Sequence, residues 1–235
     1  MKTRMTPKHL FFDMDGTITP SRRRIGAATM RALEDLSASL VVISGSRLEQ
    51  LVWQIDGLNA TTMGQNGNHT VHPERGELWH DRLSEAERTE IFAHIALVQS
   101  KYSYAVPDPA DLLEDRGCQI SYSIYGHNAD PDDKKAFDGD FAKRRSILND
   151  FPLVSDAVDV HIGGSTCLDY FRKGRNKGYN IRRLLQELAW KPVDCIYFGD
   201  ALFPGGNDES VIGVMEAVQV SDPEDTVSKL RSIFS

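Results

Sequence analysis

The sequence predicts an α/β protein in which a parallel sheet is built from both ends of the chain and interrupted by an inserted α+β domain. Three observations carry this. The continuous apolar runs Leu10-Phe11-Phe12, Leu40-Val41-Val42-Ile43 and Cys195-Ile196-Tyr197-Phe198 read as strands covered on both faces. Stripes at helical spacing separate them early and return late in the chain. Between these regions the pattern changes to strands that alternate in polarity, as an antiparallel sheet does. The expected division is a core of residues 1–81 and 173–235, with an insert of 82–172.

In order, the elements are a strand at Leu10–Phe12 and a helix at Ile25–Leu36, whose Ile25, Ala28, Ala32, Leu33 and Leu36 share a face. A strand at Leu40–Ile43, a helix at Arg47–Ile55 and a strand at Thr61–Met63 follow. The insert opens with a helix near Glu85–Ser100. Cys118, Ile120, Tyr122 and Ile124 then alternate with Gln119, Ser121, Ser123 and Tyr125, which predicts a strand with one wetter face. Asp133–Leu148 reads as one helix, and Val158–Ile162 and Thr166–Phe171 as a hairpin turning at Gly163-Gly164. Ile181, Leu184, Leu185 and Leu188 mark the next helix, Cys195–Phe198 a strand and Ala217–Val220 a last short one.

Composition excludes several functions. With 40% hydrophobic and 26% charged residues over 235 positions, the chain has the makeup of a globular protein rather than a disordered one. A formal charge of -7 argues against nucleic acid or an anionic membrane surface as partner. Against that acidic background, Arg22-Arg23-Arg24 and the run from Arg172 to Lys177 suit an anionic small molecule. The three cysteines are odd in number and widely spaced, which speaks for a reducing compartment. His69 and His72 lie three apart with no Cys or Glu partner in view, a poor zinc pattern. No apolar stretch approaches the roughly 20 residues that span a bilayer, and the first eight residues lack a signal-peptide core. The expected location is the cytoplasm.

Ligands of open parallel sheets bind beyond the carboxyl ends of strands, and the residues that follow each apolar run are chemically consistent. The first run delivers Asp13 and Asp15, two carboxylates that repel unless a cation or shared proton relieves them. Such a pair suits a Mg²⁺ ligand that is also a nucleophile, beside an acid/base. The second delivers Ser44-Gly45-Ser46, where Ser44 can donate its hydroxyl to a phosphate and Gly45 lets backbone N–H groups approach it. Ser46, with Glu49 three residues on, reads as a helix cap. The third run leads to Gln65-Asn66-Gly67. Lys177, just ahead of the Ile181 helix, supplies the cation that phosphoryl transfer needs. Asp200 ends the late strand, and Asp208 lies in the glycine-rich loop Gly205-Gly206-Asn207-Asp208. Asp13 and Asp200 are expected as direct Mg²⁺ ligands, Asp208 as a ligand directly or through water, and Asn207 as support for the loop.

These motifs, in this order, resemble the haloacid dehalogenase superfamily of aspartyl phosphotransferases, subfamily IIB. The segments Asp13-Met-Asp-Gly-Thr-Ile-Thr-Pro-Ser-Arg22, Gly163-Gly164-Ser-Thr-Cys-Leu-Asp169, Phe198-Gly-Asp-Ala-Leu-Phe-Pro-Gly-Gly-Asn-Asp208 and Ser221-Asp-Pro-Glu-Asp-Thr226 are similar to those of eukaryotic-type phosphomannomutases. The resemblance implies a Rossmann-like core with an inserted cap of type C2b whose closure excludes water. It implies Asp13 as the nucleophile, Asp15 as acid and base, and Ser44 and Lys177 as phosphate anchors. Mg²⁺ would be held by Asp13, Asp200 and the carbonyl of Asp15, with Arg22 at the core edge near the sugar.

The cap departs from the pattern. Of three arginines with which the mutases hold the non-reacting phosphate, the chain keeps Arg116 and has His127 and Lys134 at the other two places. His127 is expected mostly neutral near pH 7, and Lys134 lacks the bidentate fork. Cys167 stands where the family has a hydroxyl, while Asp169, expected to meet sugar hydroxyls, is kept. The reading that follows is a Mg²⁺-dependent phosphatase of a small phosphorylated metabolite, a sugar phosphate, with a hexose phosphate mutase as alternative and a silent sugar-phosphate-binding protein as the remote one. The resembled family also pairs through its caps, which makes a homodimer through the strand at Cys118–Tyr125 an expectation.

Overall fold

The computed structural model describes residues 7–234. They divide into two compact units, one made of the described residues up to His80 and from Asn176 onward, the other of Asp81–Arg175.

The first unit is built on a seven-stranded sheet. Its strands are β1 (His9–Asp13), β2 (Ser39–Ile43), β3 (Thr61–Gly64), β4 (His69–His72), β5 (Gly76–His80), β10 (Cys195–Gly199) and β11 (Glu216–Gln219), in the order β11-β10-β1-β2-β3-β4-β5. The first five in that order pair parallel, and the β3-β4-β5 end is antiparallel. The central strands β10, β1, β2 and β3 are buried on both faces, as the continuous apolar runs require, while β11 and β5 at the edges are largely exposed. Leu10, Phe12, Val42 and Phe198 point to one face, with Leu33, Leu51 and Leu230 packed there. Phe11, Val41, Ile43 and Tyr197 point to the other, against Ile181 and Leu184. The helices are α1 (Ala27–Glu34), α2 (Leu48–Gln54), α6 (Lys177–Glu187) and α7 (Pro223–Phe234). The sequence expectation lacked α7 and the β4-β5 hairpin, whose strands carry polar and histidine residues in place of an apolar run.

The second unit has a four-stranded antiparallel sheet of β6 (Leu113–Asp115), β7 (Gln119–Ser123), β8 (Val158–Gly163) and β9 (Cys167–Arg172), ordered β6-β7-β9-β8. Helix α3 (Glu85–Lys101) packs Ile91, Ile95 and Val98 into its core with Ile120, Tyr122, Leu168 and Tyr170. A capping box starts that helix, Ser84 and Glu87 each accepting from the other's backbone N–H.

Two expectations for this unit are corrected. The helix expected over Asp133–Leu148 is two, α4 (Pro131–Asp138) and α5 (Ala142–Asp150). The break falls where Gly139 follows α4 and Phe141 takes a left-handed φ of 63°. The face of β7 expected to be wet is buried: Ser121 donates to Asp169 at 2.6 Å and Ser123 shares a hydrogen bond with Thr166 at 2.9 Å, so polarity there marks internal pairing. Within the sheet, β7 has β6 on one edge and β9 on the other. Its edges are therefore occupied, and the open edges of this sheet belong to β6 and β8.

Candidate active site

The carboxyl ends of β1, β2 and β10 lie side by side because β1 pairs with both others in register: Phe12 is opposite Val42 on one side and Phe198 on the other. Chain order reverses at β1, where such sheets leave a crevice. Asp13 ends β1, Ser44 follows β2 and Asp200 follows β10.

Asp13, Asp200 and Asp208 converge there, each offering a carboxylate oxygen within 4.8 Å of the others. Lys177 Nζ is bonded to Asp13 Oδ1 and to Asp208 Oδ1, the latter at 2.7 Å. The lysine takes this position because it opens α6, where Asn176 caps the helix by accepting from Tyr179 N–H at 3.0 Å. Lys177, Asp13 and Asp208 are all buried. One ammonium thus faces three carboxylates in a place with little water. Burial drives Asp13 well above the usual carboxylate range despite the pull of Lys177, and the neighbouring Asp208 and Asp200 add to the rise. Asp200 is pushed up to about 6 by burial and by Asp208. For Lys177, burial works against the charge, and Asp13 and Asp208 outweigh it and raise the ammonium above its ordinary range. The cluster is short of positive charge, and its donors are hard oxygens, the set that Mg²⁺ takes.

Two glycines make room for the acids. A Cβ at Gly16 would sit 2.6 Å from Asp200 Oδ2, and one at Gly199 would sit 2.3 Å from Asp208 Oδ2. Asp15 is held apart from the cluster's cation: its Oδ1 accepts from Arg22 N–H at 2.7 Å and from Gln54 Nε2 at 3.0 Å. Arg22 therefore joins the site through its backbone, at a left-handed φ of 54°. Ser44 and Gly45 form the turn after β2. Ser46 N–H donates to Ser44 Oγ at 3.0 Å, which leaves the Ser44 hydroxyl its own proton to donate. Ser46 is not the helix cap expected of it with Glu49; α2 starts at Leu48, with Arg47 in the cap position and no side-chain cap bond.

Other expectations change as well. Asn207 is exposed, and the loop is held instead by Gly206 N–H to Phe203 C=O at 2.8 Å and Gly205 N–H to Glu209 at 2.9 Å. The two basic runs are not single anion sites. Arg24 pairs with Asp56 and lies over Trp53, Arg172 pairs with Glu87, and Lys173 lies 3.6 Å from Asp156, while Lys177 meets the acids.

Three residues of this site escaped sequence reasoning. Gln54 is fully buried and also donates to Thr19 Oγ1 and Arg23 C=O, tying Asp15 to α2. It lies three residues from Leu51 on the core face of the helix, a polar residue where an apolar one belongs, and that was its signal. Tyr197 donates to Asp208 Oδ1 at 2.7 Å from within an apolar run that hid its hydroxyl. Asn180 Nδ2 donates to Asn66 C=O at 2.9 Å and so joins α6 to the turn after β3.

The remaining named residues form a separate cluster in the second unit. Arg116 donates through Nε and a terminal nitrogen to Glu114, at 2.9 and 2.6 Å. Lys134 is buried and donates to His127 C=O at 2.7 Å. His127 lies 3.7 Å from both Cys167 Sγ and Glu114 Oε2. Burial works against the charged imidazole, but Cys167 and Glu114 outweigh it and lift His127 above its usual range. Burial pushes the Cys167 thiol up, and His127 more than offsets this to leave it below its ordinary range. Asp169 is buried against Ser121.

This arrangement has relatives. The chain is 25% identical over 264 aligned residues to a phosphomannomutase of Schizosaccharomyces pombe, covering all of this chain and 98% of that one. Among solved structures it is similar to a phosphatase of Bacteroides thetaiotaomicron, with a TM-score of 0.67, 12% identity and coverage of 99% and 97% of the two chains. It is likewise similar to a sugar phosphatase of HAD subclass IIB, with a TM-score of 0.59, 17% identity and coverage of 97% and 98%. Residues 10–213 match the haloacid dehalogenase-like hydrolases, and the chain belongs to that family.

Proposed function

We propose that this chain is a Mg²⁺-dependent phosphatase of a small sugar monophosphate. The observation that carries the reading is the buried set of Asp13, Asp200 and Asp208 around Lys177 at the ends of β1 and β10. Asp13, Asp200 and Asp208 would hold Mg²⁺, together with the Asp15 carbonyl that the family resemblance implies; when bound, the ion neutralises charge on the phosphoryl group. Asp13 attacks phosphorus and forms a phosphoaspartate while Asp15, steadied by Gln54 and Arg22 N–H, protonates the leaving sugar oxygen. Asp15 then takes a proton from water as that water attacks the phosphoaspartate, which releases phosphate and restores Asp13. Lys177 fixes the Asp13 carboxylate, and Ser44 O–H with the Gly45 turn steadies the phosphoryl oxygens.

Mutase chemistry is the second reading, and the phosphomannomutase relative favours it. Against it stands the cluster in the second unit. A mutase holds a bisphosphate in two orientations and needs cations for the phosphate that is not reacting. Here Arg116 is already spent on Glu114 and Lys134 on the His127 carbonyl. Among the described residues no helix is long and apolar enough to cross a membrane.

The test is incubation with Mg²⁺ and mannose or glucose 1-phosphate, with and without a hexose 1,6-bisphosphate, following free phosphate and 6-phosphate separately. Phosphate without isomer, absent in Asp13→Asn, is the expected result. Isomer formation stimulated by bisphosphate overturns hydrolysis in favour of the mutase, and no turnover of any sugar phosphate overturns both.

A further inference from the structure

The β4-β5 hairpin carries a second constellation of metal-ligating groups, at the far end of the sheet order from β10. His69 and His80 are direct partners in the antiparallel register. Glu77 lies three residues before His80, a spacing that ordinarily places two side chains on opposite faces of a strand. The register shifts between Thr70 and Val71, so that Trp79 pairs with Thr70 while Glu77 pairs with Val71. That irregularity takes up one residue and brings Glu77 round to the histidines. His69 Nε2 lies 3.0 Å and His80 Nδ1 lies 3.6 Å from the same Glu77 Oε2. All three donor atoms fall within 4.8 Å of one another. The sequence pairing of His69 with His72 looked for a partner in the wrong place, since the acid comes from the other strand.

We infer that His69, Glu77 and His80 form a binding site for a borderline transition-metal cation of the Zn²⁺ class. Zn²⁺ bonds of about 2.0–2.2 Å at tetrahedral angles set donor atoms roughly 3.3 Å apart. The two separations from Glu77 bracket that value. Two imidazoles and one carboxylate select zinc, nickel or cobalt over magnesium, which takes oxygen donors, so this site and the three-aspartate cluster sort different ions. One position stays open to water. The imidazoles stack at 3.7 Å with 5° between their planes. An ion in the plane of both rings requires one of them to turn, and the side chains leave room for this, being 21% exposed at His80 and 55% at Glu77. The hairpin itself is anchored, because Trp79 Nε1 donates to Gly67 C=O at 2.7 Å and Thr70 Oγ1 to the same carbonyl at 3.0 Å. Binding therefore moves side chains on a fixed backbone.

The test uses the full chain in excess Mg²⁺, which occupies the carboxylate cluster, and titrates Zn²⁺ against a chromophoric chelator. One Zn²⁺ per chain is expected. His80→Gln and His69→Gln should each weaken it by at least the roughly 10–100-fold that loss of even an outer partner of a ligand costs. Wild-type protein offers a readout that needs no variant: Zn²⁺ should shift the ring proton resonances of two histidines, and Co²⁺ should give a visible tetrahedral spectrum. Zinc binding that survives in both variants, absence of tight binding in the presence of Mg²⁺, or histidine resonances that do not move would each overturn the assignment.

Discussion

Replacing Gly199 by alanine tests whether Asp208 must sit where it does. Gly199 does not adopt a left-handed φ, so alanine is allowed by the backbone and the effect is confined to what its methyl group meets. That Cβ would lie 2.3 Å from Asp208 Oδ2 and 2.7 Å from Tyr197 Cε1. Ordinary contact begins near 3.4 Å, so Asp208 must withdraw by about 1 Å. Its Oδ1 is held by Lys177 Nζ and Tyr197 Oη, both at 2.7 Å, and bonds stretched by that much cease to be hydrogen bonds. Lys177 in turn fixes Asp13, so the displacement reaches the proposed nucleophile. A misplacement of ~1 Å costs on the order of 100-fold in rate, equivalent to about 2.7 kcal/mol of barrier. Overpacking adds about 1–3 kcal/mol of destabilisation. The assay is phosphate release from a sugar phosphate at saturating Mg²⁺, with thermal unfolding alongside. Gly26→Ala is the control, because nothing lies within 4 Å of its Cβ. A Gly199→Ala enzyme with kcat within about twofold of wild type and an unchanged Tm would refute the argument that Asp208 is fixed by contact.

Gln54→Leu keeps the core position filled and removes the donor to Asp15; kcat should fall about tenfold or more with KM little changed, read from steady-state kinetics. Arg144 is fully buried on Asp138 and on the carbonyls of Gly163, Ser165 and Cys167, so Arg144→Leu strands all of them and should cost about 3–5 kcal/mol in denaturant unfolding. Glu87 is held down at about 2, first by its hydrogen bond from Arg172. A depressed carboxylate stabilises the fold above its unfolded value of about 4.5 and loses that contribution as pH falls through about 2. The stability gap between wild type and Glu87→Gln should thus be full at pH 7, about 1–3 kcal/mol, and close between pH 4.5 and 2. Mg²⁺ at about 100 times its Kd should stabilise the protein by about 2.7 kcal/mol in a thermal shift, and Asp200→Asn should abolish the effect.

The sheet was legible because buried parallel strands write themselves as unbroken apolar runs, and the residue after each run is by construction at the ligand-binding edge. Asp13, Ser44 and Asp200 were found in this way, and their convergence follows from the pairing of β1 with both neighbours. What stayed hidden was structure without an apolar signature. The β4-β5 hairpin carries His69, His72, Glu77 and His80 in place of an apolar run, yet it completes the sheet. Tyr197 counted as an apolar residue of its run, and its hydroxyl became visible only against Asp208. Asp133–Leu148 had helical composition throughout, and nothing local announces that Phe141 turns left-handed.

Chemistry and selectivity differ in legibility for a physical reason. An acid at a strand end has its role set by where the backbone puts it, which spacing reveals. A cation in the second unit has its role set by what already neutralises it, which depends on partners. Arg116 read alone is a phosphate ligand; beside Glu114 it is half of an ion pair. Even that was partly written in the chain, since residues two apart on an extended segment share a face. Glu114-Asp115-Arg116 runs from β6 into the turn toward β7, and the carboxylate reaches both the guanidinium and His127. Lys134, by contrast, meets the His127 carbonyl across seven residues that form a turn and a helix start, a contact no pattern displays. The proposal of hydrolysis over mutase chemistry therefore rests on pairings: Glu114 neutralises Arg116, while Lys134 keeps its charge and gives one donor to a carbonyl.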